Sequence, residues 1–170
     1  MFNPINAVVR FVGAFFRKQP LQGLSPSQSE ALATLMWASV HADGEPNAAE
    51  AAGLDGLMAE LPTYWQDNGE ERILALRERL FDADERGQLV ELLQEAAAQL
   101  AGFEDKELLV ATLIATSKEH WERGADSLTS AERDFLLPIA GWLGVDPGRF
   151  DEITDDLANA LEGRPAARRG

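Results

Sequence analysis

Apolar residues recur along most of this chain at the spacing of one helix face, three and four positions apart. No alternating run of strand length occurs. The pattern predicts helices from Pro26 to about His41 and at about 47–61, 69–81, 84–101, 104–123, 130–143 and 147–162. We therefore predict an all-α fold, a single compact domain of about seven helices.

Local signals mark where several of these helices begin and end. Ser25-Pro26 and Asp146-Pro147 each combine a capping residue with proline at the first helical position, which favours a helix start. Gly102 and Gly144 follow apolar stripes at the place where a glycine commonly ends a helix. These signals support the predicted order of elements.

The two ends of the chain differ from its centre. Residues 1–18 place large apolar side chains around a narrow polar stripe that includes Arg10 and Arg17, which predicts an amphipathic helix. Such a helix binds an anionic membrane surface or a partner, or docks on its own domain. Residues 19–26 are predicted to be a linker, 27–162 the helical domain, and 163–170 a disordered basic tail. No segment is apolar for long enough to span a membrane.

Charge separates the centre of the chain from its ends. Residues 19–163 contain all 29 acidic residues and only nine basic ones, a formal charge of −20. This excess repels nucleic acid and attracts cations. The alternative is that the charge serves only solubility. The chain has no cysteine, which excludes disulfides, thiolate catalysis and cysteine-ligated zinc. We take the cytoplasm as the default location.

Two acidic loops have the same local pattern of a helix, an acidic loop and a capped helix. In the first, Asp43-Gly44-Glu45 precedes a capping box from Asn47 to Glu50. In the second, Asp126 precedes a capping box from Thr129 to Glu132. We predict two helix–loop–helix halves related by a pseudo-twofold axis.

A hard cation such as Ca²⁺ takes about six to eight oxygen ligands. Asp43, Glu50 and a carbonyl near Glu45 provide about half of that number from one loop. A second acidic loop, with Glu132 on its following helix, would complete the site. The spacing does not fit an EF-hand. The alternative is that these residues only form a turn and cap helices.

The stretch from Trp37 to Glu50, with Asp43, Gly44 and Glu45, resembles the first signature of the tellurite-resistance TerB-like family. Residues 108–143 resemble the second half of that family, and the likeness covers about 27–160. It implies an all-α domain whose acidic loops bind a divalent metal, in stress response and at the inner membrane face. Related domains occur in membrane-linked co-chaperones.

The second loop departs from the family pattern, because Ala125-Asp126-Ser127 stands where an Asp-Gly pair is expected. The carboxylate that would replace the expected aspartate is left open among three residues, Glu119, Glu122 and Asp126. His41 and His120 lie near the two loops, either as metal ligands or as helix-end residues favoured by the helix dipole.

No Ser/His/Asp grouping, phosphate-binding glycine loop or His-Glu-x-x-His motif occurs, so we predict no enzyme activity. The four tryptophans, Trp37, Trp65, Trp121 and Trp142, are predicted to fill the core. The function predicted is a non-enzymatic domain that binds a divalent cation in stress response. The alternative is a protein-interaction, scaffold or co-chaperone-like module, held at a membrane surface by residues 1–18, without metal.

Overall fold

A computed structural model describes residues 23–41, 69–117 and 128–161. All of the regular secondary structure in these ranges is helical, which confirms the all-α prediction for them. The six helices are α1 Pro26–Val40, α2 Gly69–Glu85, α3 Leu89–Gln99, α4 Lys106–Ser117, α5 Ser130–Trp142 and α6 Pro147–Leu161. The predicted helices at 1–18 and 47–61 and the tail at 163–170 lie outside the described residues.

Helices α1 and α4 form the centre of the fold. Every residue from 31 to 40 and from 108 to 117 is buried, so both helices are enclosed around their whole circumference. Several of their hydroxyl groups bond to the helix itself; for example, Thr112 Oγ1 donates to the Leu108 carbonyl at 2.8 Å. Because most side chains of α1 and α4 are small or apolar, the other described helices pack around them. Helix α1 contacts α2, α3, α4 and α5, and α4 also contacts α5 and α6.

The predicted apolar stripes of the outer helices face this centre. Their buried members are Leu76, Leu80, Leu93, Ala96, Leu100, Leu136, Ile139, Leu143, Phe150, Ile153 and Leu157. Trp37 is buried as predicted, but Trp142 is 38% exposed, so its assignment to the core is wrong. Trp142 lies beside the face centred on Leu136, Ala140 and Leu143, because those side chains occupy the inward positions. Trp65 and Trp121 lie outside the described residues.

The two helix starts predicted from a capping residue and a following proline are confirmed. The Gln28 N–H donates to Ser25 Oγ at 3.2 Å, and the Ser25 N–H donates back to Gln28 Oε1 at 3.0 Å. These two bonds form a capping box at the start of α1. Asp146 Oδ1 accepts from the Arg149 N–H at 2.9 Å and begins α6 in the same position. One further cap was not predicted: Asp105 Oδ1 accepts from the Leu108 N–H at 3.1 Å at the start of α4.

The predicted boundary between α2 and α3 is wrong by several residues. Helix α2 continues through Glu85, and α3 begins only at Leu89. Gly87 makes the break with φ of 68°, the left-handed conformation that glycine adopts without steric cost. The Gln88 N–H donates to the Ala83 carbonyl at 2.7 Å, closing a Schellman motif. The predicted break at residues 82–83 lies inside α2, because Asp82 and Ala83 are compatible with a helix.

The two glycines predicted to end helices behave differently. Gly144 has φ of 85°, and the Val145 N–H donates to the Ala140 carbonyl at 2.9 Å, so the prediction is confirmed there. The prediction for Gly102 is wrong, because Gly102 is not among the left-handed glycines. The chain leaves α3 through tight turns, in which the Ala101 and Phe103 N–H groups donate to the Ala98 and Leu100 carbonyls.

This contrast predicts that Gly144→Ala destabilises the protein by about 1 to 2 kcal/mol, since an L-residue is strained in the left-handed region. Gly102→Ala is the matched control, because an added Cβ there meets only Gln28 Nε2, at 3.8 Å. We expect it to change stability by less than about 0.5 kcal/mol. Urea unfolding of the two variants measures the difference, and equal losses in both would contradict the role of Gly144.

Candidate functional site

Most of the predicted metal ligands lie outside the described residues. These six are Asp43, Glu45, Glu50, Glu119, Glu122 and Asp126, and His120 also lies outside. Glu132 is the predicted ligand whose position is described. The pairing of the two acidic loops, and the pseudo-twofold relation built on it, therefore stay predictions.

Glu132 lies in the first turn of α5 and is 1% exposed. Its backbone N–H donates to Thr129 Oγ1 at 3.2 Å, and the Thr129 hydroxyl donates to Glu132 Oε1 at 2.8 Å. Thr129 is thus the predicted N-cap, and the Glu132 side chain turns back onto it. The cap holds one carboxylate oxygen in a defined place at the end of the second acidic loop.

The Glu132 carboxylate is unusual because charged side chains are rarely buried. A buried carboxylate is costly unless hydrogen bonds, a cation or a helix N-terminus stabilise it. The first turn of α5 supplies the positive end of a helix dipole, and Thr129 supplies a hydroxyl hydrogen. Leu128, just before the cap, packs against the core and fixes the point where the loop joins α5. A carboxylate oxygen is a hard metal ligand, which suits Ca²⁺ or Mg²⁺.

The first acidic loop follows α1, and the second follows α4. These two helices pack directly on each other, and α5, which carries Glu132, contacts both. The fold thus joins the helices next to both loops in one packed unit. No three His, Asp or Glu side chains gather into a metal-binding group within residues 23–41, 69–117 and 128–161.

His41 is the C-cap of α1, which confirms its predicted position at a helix end. Its ring stacks on that of Trp37 at a centroid distance of 5.8 Å and meets the edge of Phe81 at 6.2 Å. The guanidinium of Arg77 lies over the Trp37 ring, 5.3 Å from its centroid. Residues from α1 and α2 thus form a mixed aromatic and cationic cluster beside the start of the first loop.

A separate ion-pair cluster joins α4 to α6. Arg149 donates to both oxygens of Glu107 at 2.8 Å and to Glu152 at 2.9 Å. The hydrogen bond from Arg149 lowers the pKa of Glu107, and its bonds to Glu107 and Glu152 raise the pKa of Arg149. All three side chains are more than a third exposed, so the cluster contributes no more than about 1 kcal/mol.

This cluster gives a pH prediction. Because the pKa of Glu107 is lowered in the folded state, its stabilisation is present above the ordinary carboxyl pKa and is lost as pH falls through the lowered value. We expect Arg149→Gln to raise the Glu107 pKa towards its ordinary value in a carboxyl NMR titration. Arg133→Gln removes the bidentate pair with Asp151 and should leave Glu107 unchanged. A Glu107 pKa that is the same in wild type and Arg149→Gln would contradict the assignment.

A groove of about 360 Å³ opens between α1, α2 and α3. Its polar lining includes Glu30, Thr34, Arg79 and Glu95, and an Arg79–Glu30 ion pair of 2.8 Å lies on its wall. None of the predicted metal ligands lines it. The groove is therefore distinct from the site predicted at the acidic loops.

Among the described residues, no helix is both long and apolar enough to cross a membrane. Comparison of the chain with protein-family models, with curated proteins and with solved structures finds no match.

Proposed function

We propose that this chain is a non-enzymatic, TerB-like acidic helical domain that binds one divalent cation, such as Ca²⁺, between its two acidic loops. The observation that best supports the proposal is Glu132, a buried carboxylate fixed by Thr129 at the end of the second loop. A hard oxygen donor held away from bulk water is what a cation site requires. We further propose a role at the cytoplasmic face of the membrane in a stress response of the tellurite-resistance type, which rests on the TerB-like resemblance alone.

The charge of the chain supports the same proposal. An excess of acidic residues concentrates cations near the surface. The two acidic loops follow helices that pack on each other, and they would be the places where a cation binds. Ligands from one loop complete only about half of a calcium shell, so the second loop is required. The packing of α1, α4 and α5 into one unit would hold two such loops at a constant separation.

Calorimetric titration of Ca²⁺ and Mg²⁺ into chelator-treated protein tests this proposal. Glu132→Gln keeps the side-chain length and an oxygen for the Thr129 hydroxyl but removes the charge, so we expect at least about tenfold weaker binding. Glu91→Gln is the control, since it removes one acidic charge from an exposed position on α3. Equal affinities for wild type and both variants would exclude Glu132 from the site.

A second function, a protein-interaction module without metal, is favoured by one observation. Leu74 and Phe81 are 57% and 50% exposed and lie seven residues apart, on the same face of α2. Exposed apolar residues arranged in this way occur at protein interfaces. Chelator distinguishes the two functions, because it would lower the stability of a metal-binding domain and leave that of an interaction module unchanged.

A further inference from the structure

The groove between α1, α2 and α3 is an elongated space with an apolar base. Its α1 wall extends from Ser27 to Thr34, and its α3 wall extends from Leu92 to Gln99. Seven helical residues rise about 10 Å, so an extended aliphatic chain can lie along the groove. Ala31 and Ala96 line it and are only 5% and 6% exposed, and their small side chains leave open a space that larger ones would fill.

The charges on the walls do not balance. Glu30, Glu95 and Arg79 line the groove, so two carboxylates face one guanidinium. Arg79 pairs with Glu30 at 2.8 Å. Glu95 takes part in none of the ion pairs that join residues of the described part of the chain. The groove therefore has one uncompensated negative charge, which attracts a cation and repels an anion.

We propose that this groove binds a primary alkylammonium ion, with its charged group on Glu95 and its alkyl chain against Leu92 and Ala96. An ammonium group donates three hydrogen bonds and keeps its charge at neutral pH. The alkyl chain gains from leaving water at the apolar base. The volume of about 360 Å³ lies in the range of small-molecule sites, about 300 to 1,000 Å³.

A bare metal ion suits the groove less well than an organic cation. A hard cation requires about six to eight oxygen ligands, and one of the two carboxylates here is already paired with Arg79. The alkylammonium site is thus separate from the proposed cation site and does not depend on it. The same chemistry is offered by a free alkylamine and by a lysine side chain, and the experiment distinguishes these two sources.

The backbone amide resonances of Ala31 and Ala96 in ¹⁵N-labelled full-length protein report on the groove. We expect hexylammonium chloride, added in the presence of chelator, to shift both resonances saturably. Hexanol has the chain without the charge, and hexanoate has the opposite charge, so both should bind more weakly. Nα-acetyl-lysine methylamide is the second probe. Binding as tight as that of hexylammonium identifies a lysine side chain as the ligand, and weaker binding identifies a free alkylamine.

Three variants test the assigned charges. Glu95→Gln should weaken hexylammonium binding about threefold to fivefold, the contribution of an exposed ion pair. Glu91→Gln makes the same change on α3 at a residue that does not line the groove, and it should bind like wild type. Arg79→Gln should strengthen binding, because it releases Glu30 from its ion pair. This gain is not expected if the charged residues only stabilise the fold.

Three results would overturn the proposal. The first is the absence of a saturable shift at Ala31 and Ala96 with hexylammonium. The second is binding of hexanol as tight as that of hexylammonium, or an unchanged affinity in Glu95→Gln, since either removes the role of the carboxylate. The third is a set of shifts confined to Leu74 and Phe81, which would place the ligand on the exposed face of α2 instead.

Discussion

Leu109→Ala is expected to lower the free energy of unfolding by about 3 to 5 kcal/mol. Leu109 is 0% exposed and lies in the part of α4 from Leu108 to Ser117, in which every residue is buried. Its loss removes apolar contacts and leaves a cavity that a central helix cannot readily close. Alanine favours helix at least as well as leucine, so helix propensity does not explain the loss. Urea unfolding monitored by circular dichroism gives the magnitude.

The matched control is Leu74→Ala, the same change at a position that is 57% exposed. We expect a change within about 0.5 kcal/mol, because little apolar area is removed from contact. Similar losses at Leu109 and Leu74 would contradict the central position of α4. A large loss at Leu74 alone would show that the exposed face of α2 is covered in solution.

The second large effect is stabilisation by metal. A cation that binds only the folded state raises stability by about 2.7 kcal/mol at a hundredfold excess over its dissociation constant. Asp43→Asn and Glu50→Gln should each reduce this gain, because a hard cation prefers charged carboxylates. Without metal both variants should unfold like wild type, since asparagine tolerates the same turn and glutamine can complete the same capping box.

Thermal melts with Ca²⁺ and with chelator measure both quantities. Glu91→Gln should keep the full gain, which separates ligation from a general loss of acidic charge. If Asp43→Asn and Glu50→Gln are destabilised equally with and without metal, the two residues have only turn and capping roles.

Helix positions followed from local patterns because their causes are local. Apolar spacing set the buried faces of α3, α5 and α6, and Ser25, Thr129 and Asp146 marked starts that hydrogen bonds confirm. The prediction failed where two signals looked alike. Gly102 and Gly144 both follow apolar stripes, but only Gly144 takes a left-handed conformation. Trp142 was predicted to be buried because tryptophan is highly buried on average. Its angular position on α5 leaves it partly exposed instead.

The candidate sites were predictable to different degrees. The acidic loops could be found from sequence because Asp43 to Glu50 and Thr129 to Glu132 are contiguous. That Glu132 would be buried could not, because its burial depends on how α5 packs against other helices. The cluster of Trp37 and Arg77 gave no signal, since its members are forty residues apart and meet only when α2 packs on α1.

Native mass spectrometry on full-length protein purified without chelator shows whether the two acidic loops bind a cation. We expect one divalent cation per chain, because two loops complete a single site. Chelator should remove the cation, added Ca²⁺ or another divalent cation should restore it, and Asp43→Asn should retain it poorly. Protein that remains metal-free in the presence of every divalent cation tested would contradict cation binding and leave the acidic loops as turns and helix caps.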